Sequence, residues 1–205
     1  MRAPMSETQP SPSSPNALSV MEAIFHRRAV RNYKADKIDP KTLRELFDAA
    51  VQAPTAMHEE PWIFAVVQDR ALLNRISDNA KERIRADKQG VDTPQARHML
   101  EIVNMQDFHI FYNANTLVLI CCKGQEGPAI ADCWLAAQNF MLAACSKGLG
   151  TCVIGLSLGE LNTSKTKAEL GLPEDLTVVA PMIVGVPAGE TAVVPRKAPH
   201  ILVWK

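Results

Sequence analysis

From Ala129 to Lys147 the chain is apolar on almost every side of a helical wheel, and Gly148 follows where a helix of that length closes. Such a helix must be covered on several sides, by its own domain and, where that falls short, by a partner subunit. TLVLICC, Thr116 to Cys122, is apolar on both faces between Asn115 and Gly124, so it reads as a buried central strand. A long strand, LTVVAPMIVGV, follows further on. With 205 residues the chain can build one substantial core, hence one domain rather than two. Asp132, Gln138 and Asn139 break the apolar stretch before it reaches the ~18 uninterrupted residues of a membrane span.

The remaining elements are arranged around these. Residues 1–18 are rich in Pro and Ser, lack the apolar segment of a secretory signal, and are expected to be a disordered leader. Ser19 with Glu22 three residues on forms a capping box for a short helix to about Arg28. Asp39, then Pro40, opens a second helix with Leu43, Leu46, Phe47, Ala50 and Val51 at helical spacing, ended by Pro54. Trp62 to Val67 reads as a strand, Asp69 to about Lys88 as a charged helix, and 89–110 as ambiguous with a helix around Thr93 to Asn104. TCVIGLS suggests a short strand and Gly159 to Leu170 a polar helix. The tail ends in Ile201-Leu202-Val203-Trp204, an apolar terminus that something must bury. This order of helices and strands predicts an α+β domain over 19–205.

Charge and motif content exclude several functions. The 22 basic and 22 acidic residues balance, which argues against a nucleic-acid or anionic-membrane surface. Five cysteines, two of them adjacent, form neither a disulfide framework nor a CxxC pair, so a reducing cytoplasm is expected. The five histidines show no metal-binding spacing, so no metal is expected. No GxSxG elbow, P-loop or dinucleotide fingerprint is present; GLGTCVIG follows a helix and precedes a strand, the wrong context. Glu59-Glu60 reads as a solvated turn and Cys152 as an inert apolar thiol. Arg27, Arg28 and Arg31 are open to two readings. They complement the dipole at the end of the first helix, by ~0.3–1 kcal/mol each, or they join the distant pair Arg196-Lys197 around a dianionic phosphate. A chain that supplies no acid, base or nucleophile can still be an enzyme if a cofactor carries the reactivity.

Longer patterns point to a family. Ser19-x-x-Glu22-x-Ile24-x-x-Arg27-Arg28-x-x-Arg31-x-Tyr33 resembles the opening motif of the nitroreductase family of FMN-dependent oxidoreductases. Ala53-Pro54-Thr55-Ala56-Met57-His58-x-Glu60-Pro61-Trp62 resembles its second motif, usually Ala-Pro-Ser-x-x-Asn-x-Gln-Pro-Trp. Asp132 to Gly155 resembles the third, and Pro181 to Pro187 with Pro195-Arg196-Lys197 the closing pair. The motifs stand in the family's order over about residues 19–205.

The resemblance implies an α+β fold with a mostly antiparallel central sheet flanked by helices. It also implies an intertwined homodimer with two FMN sites at the interface. The apolar helix would lie at the dimer core and the C-terminal arm would embrace the partner. Carried over by position, Arg27 and Arg196 would hold the FMN phosphate, with Arg28 and Lys197 beside them and Ala29 at the phosphate position where many members have Ser. Arg31 would face the pyrimidine edge of the ring, where a cation stabilises charge built up on reduction. Pro54, Thr55, Ala56 and His58 would come from the other subunit, and Val153, Ile154, Gly155 and Leu156 would line one ring face. No protein residue is expected to be catalytic, because flavin N5 carries the chemistry. Hydride would pass by a ping-pong route from NADPH or NADH to a nitroaromatic, quinone or activated alkene. His58 and Glu60 depart from the family's Asn and Gln, and these swaps bear on redox potential and substrate preference. The departures motivate one alternative, a flavin carrier or sensor with little turnover; a specialised chemistry such as dehalogenation or flavin fragmentation ranks below it, since its substrate lid could only be 89–113, which is short and carries no substrate-recognition motif.

Overall fold

A computed structural model of the chain describes residues 18–124 and 127–205. All of the expected leader except Leu18 lies outside the described residues. Three layers are built around one four-stranded sheet of order β1-β2-β4-β3, antiparallel at every pairing. The strands are β1 (Ile63–Val67), β2 (Leu117–Lys123), β3 (Gly150–Val153) and β4 (Leu176–Gly185).

β2 explains the layering. Its alternate residues Val118, Ile120 and Cys122 enter one core, while Leu117, Leu119 and Cys121 enter the other, so both faces of the strand are buried. On the first face lie α2 (Pro40–Ala50) and α5 (Gly127–Ser146), packed through Leu43, Leu46, Ala50, Ala137, Phe140 and Ala144. On the second lie α3 (Arg70–Lys88) and α4 (Pro94–Asn104), contributing Leu73, Ile76, Ala80, Ile84 and Val103.

Local chemistry sets the helix ends. The Ser19 and Glu22 capping box opens α1 (Val20–His26), which stops at Arg27, one residue earlier than expected. Asp39, Asp69 and Thr93 each accept the N–H three residues on and begin α2, α3 and α4, so the ambiguous stretch 89–110 does hold a helix. Gly148 takes a left-handed φ of 73° after α5.

Two expectations need correction. TCVIGLS is strand only to Val153; Gly155–Ser157 forms a single 3-10 turn. The polar helix at 159–170 is two short ones, α6 (Leu158–Leu161) and α7 (Ser164–Leu170). Asn162 lies between them because its side chain is tied to β4, accepting from the Val178 N–H at 2.8 Å and donating to the Val178 carbonyl at 3.0 Å.

α5 buries only part of its apolar surface within the protomer. Cys133, Ala136, Ala137, Phe140 and Ala144 are fully covered, whereas Trp134 and Leu135 are 39% and 44% exposed. The tail leaves Leu202 and Trp204 more than four-fifths exposed.

Candidate functional site

Two features converge at the outer edge of β3. The first is the arginine segment, which is pinned along the sheet edge by two isolated bridges. Ala29 pairs in parallel with Thr151, and the Val30 N–H donates to the Thr151 carbonyl at 3.0 Å. Tyr33 pairs with Pro187, the Lys34 N–H donates to the Val186 carbonyl at 2.9 Å, and the Ala188 N–H donates to Asn32 at 3.0 Å. The Tyr33 hydroxyl closes the segment on itself by donating to the Val30 carbonyl at 2.7 Å. Burial pushes that phenol's ionisation well above its ordinary range, so it stays a donor.

Glycines permit this close approach. A Cβ on Gly150 would come within 2.6 Å of the Val30 side chain, and one on Gly185 within 2.7 Å of the Tyr33 ring.

The second feature is a cavity of about 210 Å³ beside this segment, lined by Arg27, Arg28, Cys145, Gly150, Thr151 and Thr191 among others. Arg27 is half-buried and has no ion-pair partner among the described residues. Arg28 is partly committed elsewhere: its Nη1 donates to the carbonyls of Phe25 at 2.6 Å and Arg27 at 2.9 Å, which caps α1. The helix-end reading therefore holds for Arg28, while Arg27 and Arg28 both line the cavity. Burial raises the Cys145 thiol above its usual range although Arg27 and Arg28 oppose it, so it lines the cavity as a neutral group. Cys152 is buried with a raised thiol too, as its inert reading requires.

The other expected site residues fall in three places. Arg31 is exposed, its guanidinium carbon 5.6 Å from the centre of the Tyr112 ring. Val153 to Leu156 run on from β3 as half-buried, buried, exposed and half-buried positions. Arg196 and Lys197 lie on the exposed tail and do not line the cavity in this protomer.

Pro54, Thr55, Ala56 and His58 sit at the far end of α5 from the cavity. Thr55 and Ala56 bond to Asp132 near the start of that helix, whereas Cys145 and Gly148 meet the cavity near its end, about 20 Å of axial rise away. A single protomer does not bring these sets together. His58 and Glu60 form no ion pair among the described residues, and both are exposed.

Sequence reasoning missed Asp132 and Tyr112. Asp132 registered as a break in an apolar run and as the first residue of the third family motif, with no role assigned, and no sequence signal for Tyr112 was visible. No group of side chains able to hold a metal occurs among the described residues, and none of their helices is long and apolar enough to cross a membrane.

A model of the nitroreductase family matches residues 24–186, so the chain belongs to the nitroreductase family. Among relatives, a protein from Methanothermobacter thermautotrophicus provisionally named NADH dehydrogenase/NAD(P)H nitroreductase is 27% identical over 175 residues, covering 83% of this chain and 78% of that one. A nitroreductase from Bacteroides fragilis solved with bound FMN superposes with a TM-score of 0.77 at 27% identity, over 92% of this chain and 100% of that chain. An iodotyrosine deiodinase bound to FMN and 3-iodo-L-tyrosine superposes with a TM-score of 0.74 at 22% identity, over 89% of this chain and 97% of that chain, a likeness of fold alone.

Proposed function

We propose that the chain is an FMN-dependent oxidoreductase driven by NADH or NADPH and reducing a small electron-accepting compound. The observation that carries this reading is the cavity at the β3 edge, where Arg27 meets Gly148 and the start of β3 at Gly150 and Thr151, with no carboxylate paired to it among the described residues. That donor set fits a phosphate: a half-buried guanidinium for its oxygens and backbone at close range. Ala29 offers no hydroxyl there, so Arg27, Thr151 and backbone groups carry the contact. Held there by Arg27, Thr151 and backbone groups, FMN would supply the redox chemistry between a nicotinamide donor and a nitroaromatic, quinone or activated alkene.

The protein's part is to bind and orient. Arg31 faces the edge of the ring that becomes negative, and Val153 to Leu156 support one ring face. Arg196 and Lys197 on the tail, and Pro54 to His58 on their loop, complete the site across a homodimer. The exposed Trp134, Leu135, Leu202 and Trp204 are apolar surface for such an interface. A cytoplasmic enzyme is the matching location, consistent with five free cysteines.

The test is spectroscopic. Purified protein is expected to bind FMN with a visible flavin band that NADH or NADPH bleaches anaerobically. Arg27→Ala is expected to lose FMN while remaining a folded dimer. A chain that takes up no FMN refutes the reading. One that stays yellow and unbleached with either nicotinamide is a flavin carrier instead, the outcome that Glu60, an anion in place of Gln, would favour.

A further inference from the structure

The loop between α2 and β1 holds an unusual concentration of left-handed backbone. Met57, His58 and Glu60 have φ of 51°, 58° and 47°, a region uncommon for residues other than glycine and especially so for Met and Glu. Three such residues in four positions persist only where the surroundings over-determine them. Nothing in the loop's own packing does so: Met57 is 89% exposed, and His58, Glu59 and Glu60 are exposed too.

What holds the loop is a carboxylate beneath it. Asp132, on the second turn of α5, is 5% exposed and has no cationic partner among the described residues. Its Oδ2 accepts the Thr55 hydroxyl at 2.8 Å and the Ala56 N–H at 2.9 Å. The Thr55 Oγ1 in turn accepts the Glu60 N–H at 3.0 Å, closing the loop on both sides of the strained residues. A buried carboxylate without a cation is costly, and here the hydrogen bonds it accepts from the loop offset that cost. Its presence here is explained by what it shapes.

We propose that Asp132 is a positioning residue: through Thr55 and Ala56 it fixes the 55–60 loop in the form that presents Met57 and His58 to the flavin bound across the dimer. This rests on the FMN reading above. In physical terms Asp132 raises the fraction of protein whose loop is already in the binding form, and apparent affinity scales with that fraction.

The experiment compares wild-type protein with Asp132→Ala, Asp132→Asn and Thr55→Val, measuring FMN affinity by flavin fluorescence, amide exchange of the 55–60 peptide, and melting temperature. Asp132→Ala is expected to weaken FMN binding by about 10- to 100-fold, the range for hydrogen bonds to a charged group. Asp132→Asn, which keeps an acceptor oxygen, should fall between it and wild type. Thr55→Val should weaken binding less than Asp132→Ala, and the double variant no more than Asp132→Ala alone, because both act through one network. Exchange should quicken at 55–60 and not in β2. A merely structural role would lower the melting temperature and leave the FMN affinity of the folded variants and the local exchange unchanged. Wild-type protein that takes up no FMN removes the functional reading and this proposal together. Wild-type protein that binds FMN, with folded Asp132→Ala and Thr55→Val binding it within about twofold, the scatter of uncoupled sites, removes this proposal alone.

Discussion

Gly150→Ala should damage both stability and the cofactor site. An added Cβ would lie 2.6, 2.7 and 2.9 Å from the three side-chain carbons of Val30, where ordinary carbon contacts are about 3.5–4.0 Å. Val30 is 7% exposed and β-branched, so it has no free rotamer to escape into. Its N–H is bonded to Thr151, next to the substituted position. The arginine segment must therefore move off β3 by about 1 Å, and overpacking of this kind costs about 1–3 kcal/mol. For a chain of this length each kcal/mol lowers Tm by about 2–4 °C, so thermal melts should show a fall of about 2–12 °C. Because the displaced segment carries Arg27 and Arg31, kcat/KM should fall as well, by up to ~100-fold for an ångström of misplacement. Val30→Gly removes all three clashing carbons. In that background Gly150→Ala should cost almost nothing, a coupling that a double-mutant cycle reads directly. An equal fall in Tm in both backgrounds, or no fall in the wild-type background, would refute the reasoning.

Two further outcomes test particular contacts. Asp39→Ala removes the acceptor for the Thr42 N–H and should cost about 1 kcal/mol, seen as a drop of about 2–4 °C in melting temperature. His109 is half-buried near Arg70 and Lys81, and burial first, then those cations, push its pKa down from 6.5 to about 4. The unfolded chain therefore binds a proton there between pH 6.5 and 4 that the native protein does not. Stability should decline as pH falls through that window, and melts across it should be flatter for His109→Asn, whose side chain can still accept the Phe111 N–H.

Where a local rule decided the outcome, the sequence was legible. Ser19, Asp39, Asp69 and Thr93 are caps whose bonds involve only the next three residues, and β2 is apolar on both faces because both faces are buried. Where a distant partner decided, it was not. Asn162 divides a polar helix only because β4 offers it Val178, sixteen residues away in sequence. Arg27 and Arg28 are indistinguishable as letters, and only the fold ties Arg28 to the carbonyls at the end of α1 while both line the cavity. Asp132 looked like a flaw in an apolar helix; its role depends on Thr55, seventy-seven positions earlier. The positions of Arg27 and of the Pro54–His58 loop in the family's motifs could be read off, yet their separation along α5 could not, since motif order carries no distance.

The backbone pairing of residues 29–34 with Thr151 and with 186–188 has a consequence for biosynthesis. Residues 29–34 have no strand to lie against until β3 and the end of β4 have also emerged. The segment's arginines must wait, solvated, through nearly the whole of translation. The cavity lined by Arg27, Gly150 and Thr151 is thereby completed only when the polypeptide is almost entirely synthesised.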